Sequence, residues 1–292
     1  MMKRSIEKVI PPPPHHMVGD GFRVHNFVPG SVPGGMQRTD PFIMLDYGSK
    51  HYFTPSDKPR GIGAHPHRGF ETVTIAYHGK VAHHDSLGNS GVIGEGEVQW
   101  MTAASGLLHK EYHEQEFSKK GGDFQMVQLW VNLPSEFKMS PPRYQAISRE
   151  RIPIFNLPEG KGTIEVIAGS YREITGPALT FTPVNFQNAR LHQGGRVEFS
   201  FPADYNTALL VIEGKIMVND SVEVPTDHFL LFQNDGEVFT LEAVESAVVL
   251  VMSGEPIRQP IAAYGPIVMN TREELEQAFA DLEAQKFGYL ED

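Results

Sequence analysis

The stretch His65-Pro66-His67-Arg68-Gly69-Phe70-Glu71-Thr72-Val73 is the most informative part of this 292-residue chain. In an extended segment, side chains at i and i+2 point to the same face, with Cα atoms about 6.6 Å apart. Residues 72–77 continue it with β-branched and aromatic side chains, which are typical of strands. The stretch therefore predicts β-structure that presents two imidazoles to one cavity.

Short runs of the same kind fill most of the chain and are separated by glycine turns such as Gly194-Gly195 and Glu213-Gly214. They include residues 125–131, 164–168, 197–201, 208–212, 215–218, 229–232 and 247–252. Many short strands with regular turns indicate a sandwich or barrel. We predict an all-β protein with two jelly-roll-like β-barrel domains, residues 1–135 and 154–292, joined by a proline-rich linker at 136–153.

One helix is predicted, at about residues 271–287. Thr271 and Glu274 have the spacing of a capping box, and Gly288 is a suitable stop. An apolar stripe with helical spacing follows the cap and consists of Leu275, Ala278, Phe279 and Leu282. We expect this stripe to pack on a barrel wall.

Composition excludes several classes of protein. The chain has 25 basic and 36 acidic residues, a net charge of −11, which disfavours direct contact with nucleic acid or an anionic membrane. It contains no cysteine, so disulfides, thiolate nucleophiles and cysteine zinc sites are excluded. No apolar run approaches the ~20 residues of a membrane helix, and we expect a cytoplasmic protein.

Histidine is concentrated in the first half, where eleven of the 13 lie at or before His113. His109-Lys110-Glu111 offers a third imidazole and a carboxylate if its strand runs beside the His65/His67 pair. Three imidazoles and one carboxylate suit one divalent ion, such as iron(II), manganese or zinc. Alternative sources of the third nitrogen are His83, His84 and His113. In the second half, His192 and His228 have no His or Glu two residues away, so we expect no metal there.

Four further motifs accompany the opening stretch. They are Gln99-Trp100-Met101-Thr102-Ala103, Gly106-Leu107-Leu108-His109-Lys110-Glu111, Trp130-Val131-Asn132-Leu133-Pro134 and Tyr264-Gly265-Pro266-Ile267-Val268-Met269-Asn270-Thr271. Together the five blocks resemble the signature of the pirin family, a branch of the cupin superfamily, over about residues 20–285. The resemblance implies a bicupin with Fe²⁺ in the first barrel and none in the second.

The same resemblance implies the ligand set His65, His67, His109 and Glu111. Glu71 occupies the place where most cupins have a ligand carboxylate, but the pirin pattern takes its carboxylate from the position of Glu111. Glu71 is therefore expected beside the site or in a barrel contact. Arg68, Gln99 and Trp100 are further candidates for residues that support the ligands, with a salt bridge the alternative for Arg68 and a core position the alternative for Trp100.

The function implied by the resemblance is that of a quercetin 2,3-dioxygenase, which opens the ring of quercetin or a related flavonol with O2 and releases CO. Glu111 would serve as a ligand and as the general base for the 3-hydroxyl proton. The alternative is a non-enzymatic, iron-dependent redox-sensing regulator that binds a transcription factor or a metabolic enzyme. A zinc hydrolase fits the ligand types but lacks an evident separate base. An apolar, concave surface at the metal site would favour the enzyme, and a charged, flat one the regulator.

Overall fold

Antiparallel strands account for most of residues 2–291, the part of the chain that the computed structural model describes. The strands up to residue 147 are β1 Ile6–Ile10, β2 His16–Val18, β3 Phe22–Val28, β4 Phe42–Phe53, β5 Gly61–His67, β6 Phe70–His78, β7 Val81–Asp85, β8 Ser90–Ile93, β9 Val98–Thr102, β10 Leu107–His113, β11 Gly122–Asn132 and β12 Arg143–Ile147. Two short helices lie among them, α1 Gly35–Thr39 and α2 Gln115–Lys120.

The remaining strands follow the same antiparallel pattern. They are β13 Ile154–Asn156, β14 Gly162–Ala168, β15 Ser170–Tyr171, β16 Ile174–Thr175, β17 Val184–Leu191, β18 Arg196–Ser200, β19 Asn206–Val218, β20 Val222–Pro225, β21 Phe229–Phe232, β22 Val238–Gly254, β23 Ala262–Tyr264 and β24 Ile267–Met269. Helix α3, Arg272–Glu283, closes the chain. The all-β prediction with a C-terminal helix is confirmed, and no helix in residues 2–291 has the length and apolar character to cross a membrane.

The first barrel consists of two sheets. Seven strands lie in the order β12-β9-β6-β11-β4-β3-β2, and four lie in the order β5-β10-β7-β8. The two faces of strand β6 lie in different environments. Val73 and Ile75 on one face join a large apolar core, and Thr72 and Thr74 alternate with them on the opposite face. The threonines therefore face the interior of the barrel, towards the four-stranded sheet.

The second barrel is built from a nine-stranded antiparallel sheet. Its core consists of aliphatic and aromatic side chains, including Ile164, Val166, Leu191, Phe199, Leu209, Val211, Phe232, Phe239 and Val251. Glu213-Gly214, predicted as a turn, lies inside the single strand β19, where the register with β22 shifts. Gly214 has φ 73° there, so a local irregularity replaces the expected turn.

The two barrels share one apolar core. It combines side chains from the outer face of the seven-stranded sheet with side chains from the second barrel. Trp100 meets Phe186 edge-on at 5.5 Å between ring centroids, and Phe27 stacks on Phe229 at 5.5 Å. This contact explains why β6 is buried on both of its faces.

Sheet membership departs from the predicted domain limits at three places. Strand β1 lies within 1–135 but pairs with β21 of the second barrel, and β12 lies within the predicted linker but pairs with β9 of the first. Residues 262–283 lie within 154–292, yet the main chain at Ile267 bridges Arg68. Each of these segments covers a strand edge or surface of the other barrel. Its pairing partner is distant in the sequence, so local patterns do not reveal it.

Helix α3 begins as predicted and ends sooner. The Thr271 hydroxyl accepts from the Glu274 main chain at 3.2 Å, and the Glu274 carboxylate accepts from the Thr271 main chain at 3.1 Å. The helix ends at Glu283 rather than near residue 287. Ala278 packs with Ile267 and Met269 of β24, so the stripe covers the two-stranded β23–β24 sheet rather than a barrel sheet.

Candidate metal centre

Three histidines converge inside the first barrel. In the β5–β10 pairing, His109 lies opposite His65, and Leu107 lies opposite His67. One ring nitrogen of each histidine lies within 4.8 Å of the others. Ring centroids are 4.3 Å apart for His65 and His109 and 4.6 Å for His67 and His109. The strand spacing that suggested a shared face therefore brings three imidazoles to one point.

The nitrogens of this cluster are suited to a metal ion. His67 Nδ1 and both ring nitrogens of His109 are buried with no hydrogen-bond partner among residues 2–291. His65 Nδ1 lies 2.9 Å from the Gly63 carbonyl, an arrangement that makes Nδ1 the donor and leaves Nε2 available for ligation. Burial lowers the pKa of all three imidazoles, which favours the neutral form that binds metals.

Glu111 faces the same cavity but lies outside the three-histidine cluster. The pairing of β5 with β10 is irregular between His109 and Glu111, which places Glu111 opposite Ile62. The Thr74 hydroxyl lies 3.4 Å from Glu111 Oε1. Burial raises the pKa of Glu111 to about 7. This carboxyl group thus faces the same cavity as His65 and His67.

His65, His67 and Glu111 line a cavity of about 330 Å³, within the range of about 300–1,000 Å³ that is usual for small-molecule sites. Its wall is mostly apolar and consists of Val18, Phe22, Val24, Met44, Ile62, Met126, Trp130 and Pro266. The polar positions are His65, His67, Glu111, Asp46 and Gln128. Trp130 stacks on Phe70 and meets the His67 ring edge-on at 5.3 Å.

The alternative histidines have other partners. His83 lies opposite Glu111 in the β7–β10 pairing, and its Nε2 is hydrogen-bonded to the Tyr144 hydroxyl. His84 stacks on Tyr112, and His113 binds the Gly21 carbonyl at 2.8 Å. His109 is therefore the residue that joins His65 and His67.

Arg68 and Glu71 make structural contacts away from the histidine nitrogens. Arg68 donates to the Ser105 carbonyl at 2.7 Å and to the Asp281 carboxylate at 2.9 Å. Glu71 accepts from the Thr102 hydroxyl at 2.7 Å and shares the face of β6 that carries Val73. The alternation of the strand thus turns both side chains away from the barrel interior.

Gln99 and Trp100 are neighbours on β9 with opposite orientations. Trp100 lies in the core shared by the two barrels. Gln99 is opposite Thr74 in the β6–β9 pairing and has a buried Oε1 with no partner among residues 2–291. Of the four candidate supporting residues, Gln99 is the one that this pairing places on the interior side of the sheet.

The sequence interpretation missed several polar residues of the interior, among them Asp46, Thr74 and Gln128. Each lies on a different strand of the seven-stranded sheet. The signal in the sequence was the alternation of polar and apolar residues, since Thr72 and Thr74 interrupt an otherwise apolar strand. It could not show which distant residues the threonines would meet.

The second barrel has no comparable group among the described residues: the His65/His67/His109 set is the one that satisfies metal-site geometry in residues 2–291. His192 is exposed, and His228 Nδ1 is hydrogen-bonded to the Thr226 carbonyl at 2.9 Å. The core of the second barrel is a cluster of buried apolar side chains.

Two β-barrels with one three-histidine site define the chain as a bicupin. The Pirin family model matches residues 21–131, and the Pirin C-terminal cupin domain model matches residues 186–288. The chain belongs to the pirin family.

Relatives with assigned names support this placement. A Pseudomonas aeruginosa protein named "Putative quercetin 2,3-dioxygenase" is 47% identical over 93% of this chain and 94% of its own length. A pirin-like protein of Caulobacter vibrioides is 39% identical over 86% of this chain and 88% of its own. The crystal structure of a quercetin 2,3-dioxygenase from Acinetobacter baumannii superposes with a TM-score of 0.94 at 42% identity, covering 99% of this chain and all of that one.

Proposed function

We propose that this chain is an iron-dependent dioxygenase that opens the ring of quercetin or a related flavonol with O2 and releases CO. The observation that carries the proposal is the convergence of three imidazoles, two buried and one partly buried, beside a mostly apolar cavity of about 330 Å³. The names of the relatives point to the same reaction class.

In this proposal His65, His67, His109 and Glu111 hold one Fe²⁺. When bound, such an ion would lower the pKa of a coordinated hydroxyl and hold both reactants close together. Glu111 supplies one oxygen as a ligand and uses the other to accept the proton of the flavonol 3-hydroxyl. Glu111 lines the cavity that would hold the substrate, as a general base must.

The cavity wall binds and orients the substrate. Trp130 and Phe22 offer aromatic faces, and Met44 and Met126 are flexible side chains that fit flat rings. These residues also keep water away from the reacting ring. A concave, apolar site of this kind supports the enzyme over the regulator, for which we expected a flat, charged surface.

Oxygen uptake by protein of known metal content tests the proposal. The protein is purified without oxygen, its metals are measured, and it is reloaded with Fe²⁺, because nickel, copper and zinc bind such sites more tightly. We expect one equivalent of O2 consumed and one of CO released for each quercetin lost. Iron-loaded protein that consumes no O2 with quercetin or related flavonols would contradict the enzyme and favour an iron-dependent regulator.

A further inference from the structure

A continuous polar row crosses the inner face of the seven-stranded sheet. Successive strand pairings place Asn26 opposite Asp46, Asp46 opposite Gln128, Gln128 opposite Thr74, and Thr74 opposite Gln99. Residues that lie opposite each other in a sheet share a face. The row therefore spans five strands of the sheet, and Thr74 is the member that contacts Glu111.

Hydrogen bonds hold this row in place. The Asn26 amide donates to Asp46 Oδ1 at 2.8 Å, and the Thr74 hydroxyl donates to Gln128 Oε1 at 2.6 Å. Asp46 and Gln128 both line the cavity. The positions of their polar atoms are thus set by the protein before any ligand enters.

Asp46 and Thr74 lie on different strands of this row, with Gln128 between them. Neighbouring strands are about 4.8 Å apart, so the main chains of Asp46 and Thr74 are roughly 10 Å apart. The cavity volume of about 330 Å³ has room for more than one aromatic ring.

Asp46 has an unmet capacity to accept hydrogen bonds. Among residues 2–291, the Asp46 carboxylate accepts a side-chain hydrogen bond from Asn26, and this bond uses only Oδ1. The cavity lining contains two carboxylates, Asp46 and Glu111, and no lysine or arginine. A donor group is therefore favoured beside Asp46, whereas an anionic group would meet a like charge.

We propose that Asp46 determines specificity by accepting a hydrogen bond from a ligand hydroxyl other than the one held at the histidines. The site would then select neutral phenols that carry a second hydrogen-bond donor. This inference rests on the proposed function and refines its substrate class. A hydrogen bond to a charged group is worth enough to change affinity about tenfold or more.

Calorimetric binding without oxygen tests this proposal on iron-loaded protein. The ligands are quercetin and 3-hydroxyflavone, which keeps the metal-binding hydroxyl but lacks the others. In Asp46→Asn the amide keeps an oxygen for Asn26 and presents an NH2 group to the cavity. We expect the Kd of quercetin to rise at least tenfold and that of 3-hydroxyflavone to change less than twofold, with the exposed Asp57→Asn as a matched control.

An equal change for both ligands, or no change for quercetin, overturns the proposal. If Asp46→Asn does not fold, the wild-type protein alone tests the proposal. Equal affinity of the wild type for quercetin and 3-hydroxyflavone also overturns the role of Asp46. The proposed reaction is judged separately. Binding that depends on Asp46 without later O2 uptake refutes only the dioxygenase, whereas turnover with an unchanged Kd in Asp46→Asn refutes only the role of Asp46. A wild type that binds neither flavonol refutes both.

Discussion

Arg68 donates to the Asp281 carboxylate at 2.9 Å and so joins the residue after His67 to a helix more than two hundred positions further along the chain. Both side chains are nearly buried, and the Arg68 guanidinium also lies over the Phe287 ring, 4.5 Å from its centroid. The same C-terminal segment contributes Pro266 to the cavity wall. The wall of the site is therefore assembled from both ends of the chain.

Removing the charge of Asp281 should destabilise the protein. In Asp281→Asn the buried Arg68 cation loses its counter-charge, and breaking buried pairs typically costs about 3 kcal/mol. Hydrogen bonds from Lys286 and then Arg68 hold the pKa of Asp281 well below its usual value, so this stabilisation is present above about pH 4 and is lost as the pH falls further. Thermal unfolding at several pH values measures the difference, which should narrow in acid.

The control for this change is Glu276→Gln, which removes an exposed ion pair with Arg272 on the same helix. Such surface pairs contribute at most about 1 kcal/mol. Equal effects of the two substitutions would show that Arg68 does not depend on Asp281.

His109→Ala should abolish metal binding and leave the fold intact. His109 is the histidine that completes the three-nitrogen cluster, whereas the barrel is held by its apolar core. We expect less than a tenth of the wild-type metal, measured by elemental analysis, and an unchanged circular dichroism spectrum. His84→Ala, on the same sheet, should keep its metal. Loss of metal in His84→Ala but not in His109→Ala would contradict the site.

Metal stoichiometry should not depend on the second barrel. The double variant His192→Ala/His228→Ala should retain one ion per chain, because neither side chain belongs to a metal-ligand group in the described residues. Elemental analysis of the iron-loaded protein tests this directly. A fall in metal content would place a ligand where we predict none.

Glu111→Gln should separate iron binding from proton transfer. The amide keeps an oxygen that can bind iron together with the three histidines, but it cannot accept the proton of the flavonol 3-hydroxyl. Loss of a general base typically slows a reaction about 10²–10⁴-fold. We expect turnover per bound iron at least about a hundredfold slower, measured as O2 uptake with quercetin. Glu116→Gln, on the exposed helix α2, should match the wild type, and full activity of Glu111→Gln would show that another group takes the proton.

Glu71→Gln should stabilise the protein at high pH. Burial raises the pKa of Glu71 from 4.5 to about 7, so between these values the folded state binds more protons than the unfolded state. Stability therefore falls as the pH rises through this window. The amide avoids burying a charge, which predicts a gain of up to about 3 kcal/mol at pH 8 and little change at pH 5.

Urea unfolding at the two pH values measures this effect, and Glu159→Gln on an exposed turn is the control. Metal content should stay unchanged, since Glu71 faces away from the histidines. A gain that is the same at both pH values would contradict the burial of a titrating carboxyl group.

The class of fold and the two histidines at the centre of the site could be predicted from local sequence patterns. His65 and His67 could be assigned to one face because alternation in a strand is a property of the backbone itself. Thr271 and Glu274 marked the helix start for a similar reason, since a capping box is closed within four residues. The source of the third imidazole, by contrast, could not be decided among His83, His84, His109 and His113 until the strand register was known.

The tertiary structure alone decided which distant residues share the cavity. Asp46, Gln128 and Thr74 form one row because three strands pair in a specific register, and a shift of one residue would turn each of them to the other face. Pro266 reaches the wall because β24 and α3 cover the first barrel. Such pairings are selected by the total apolar surface that the folded chain buries, a property of the whole molecule. The sequence by itself therefore determined the strand alternation, the histidine pair and the helix cap, whereas the polar row of the cavity exists only once the sheet has formed.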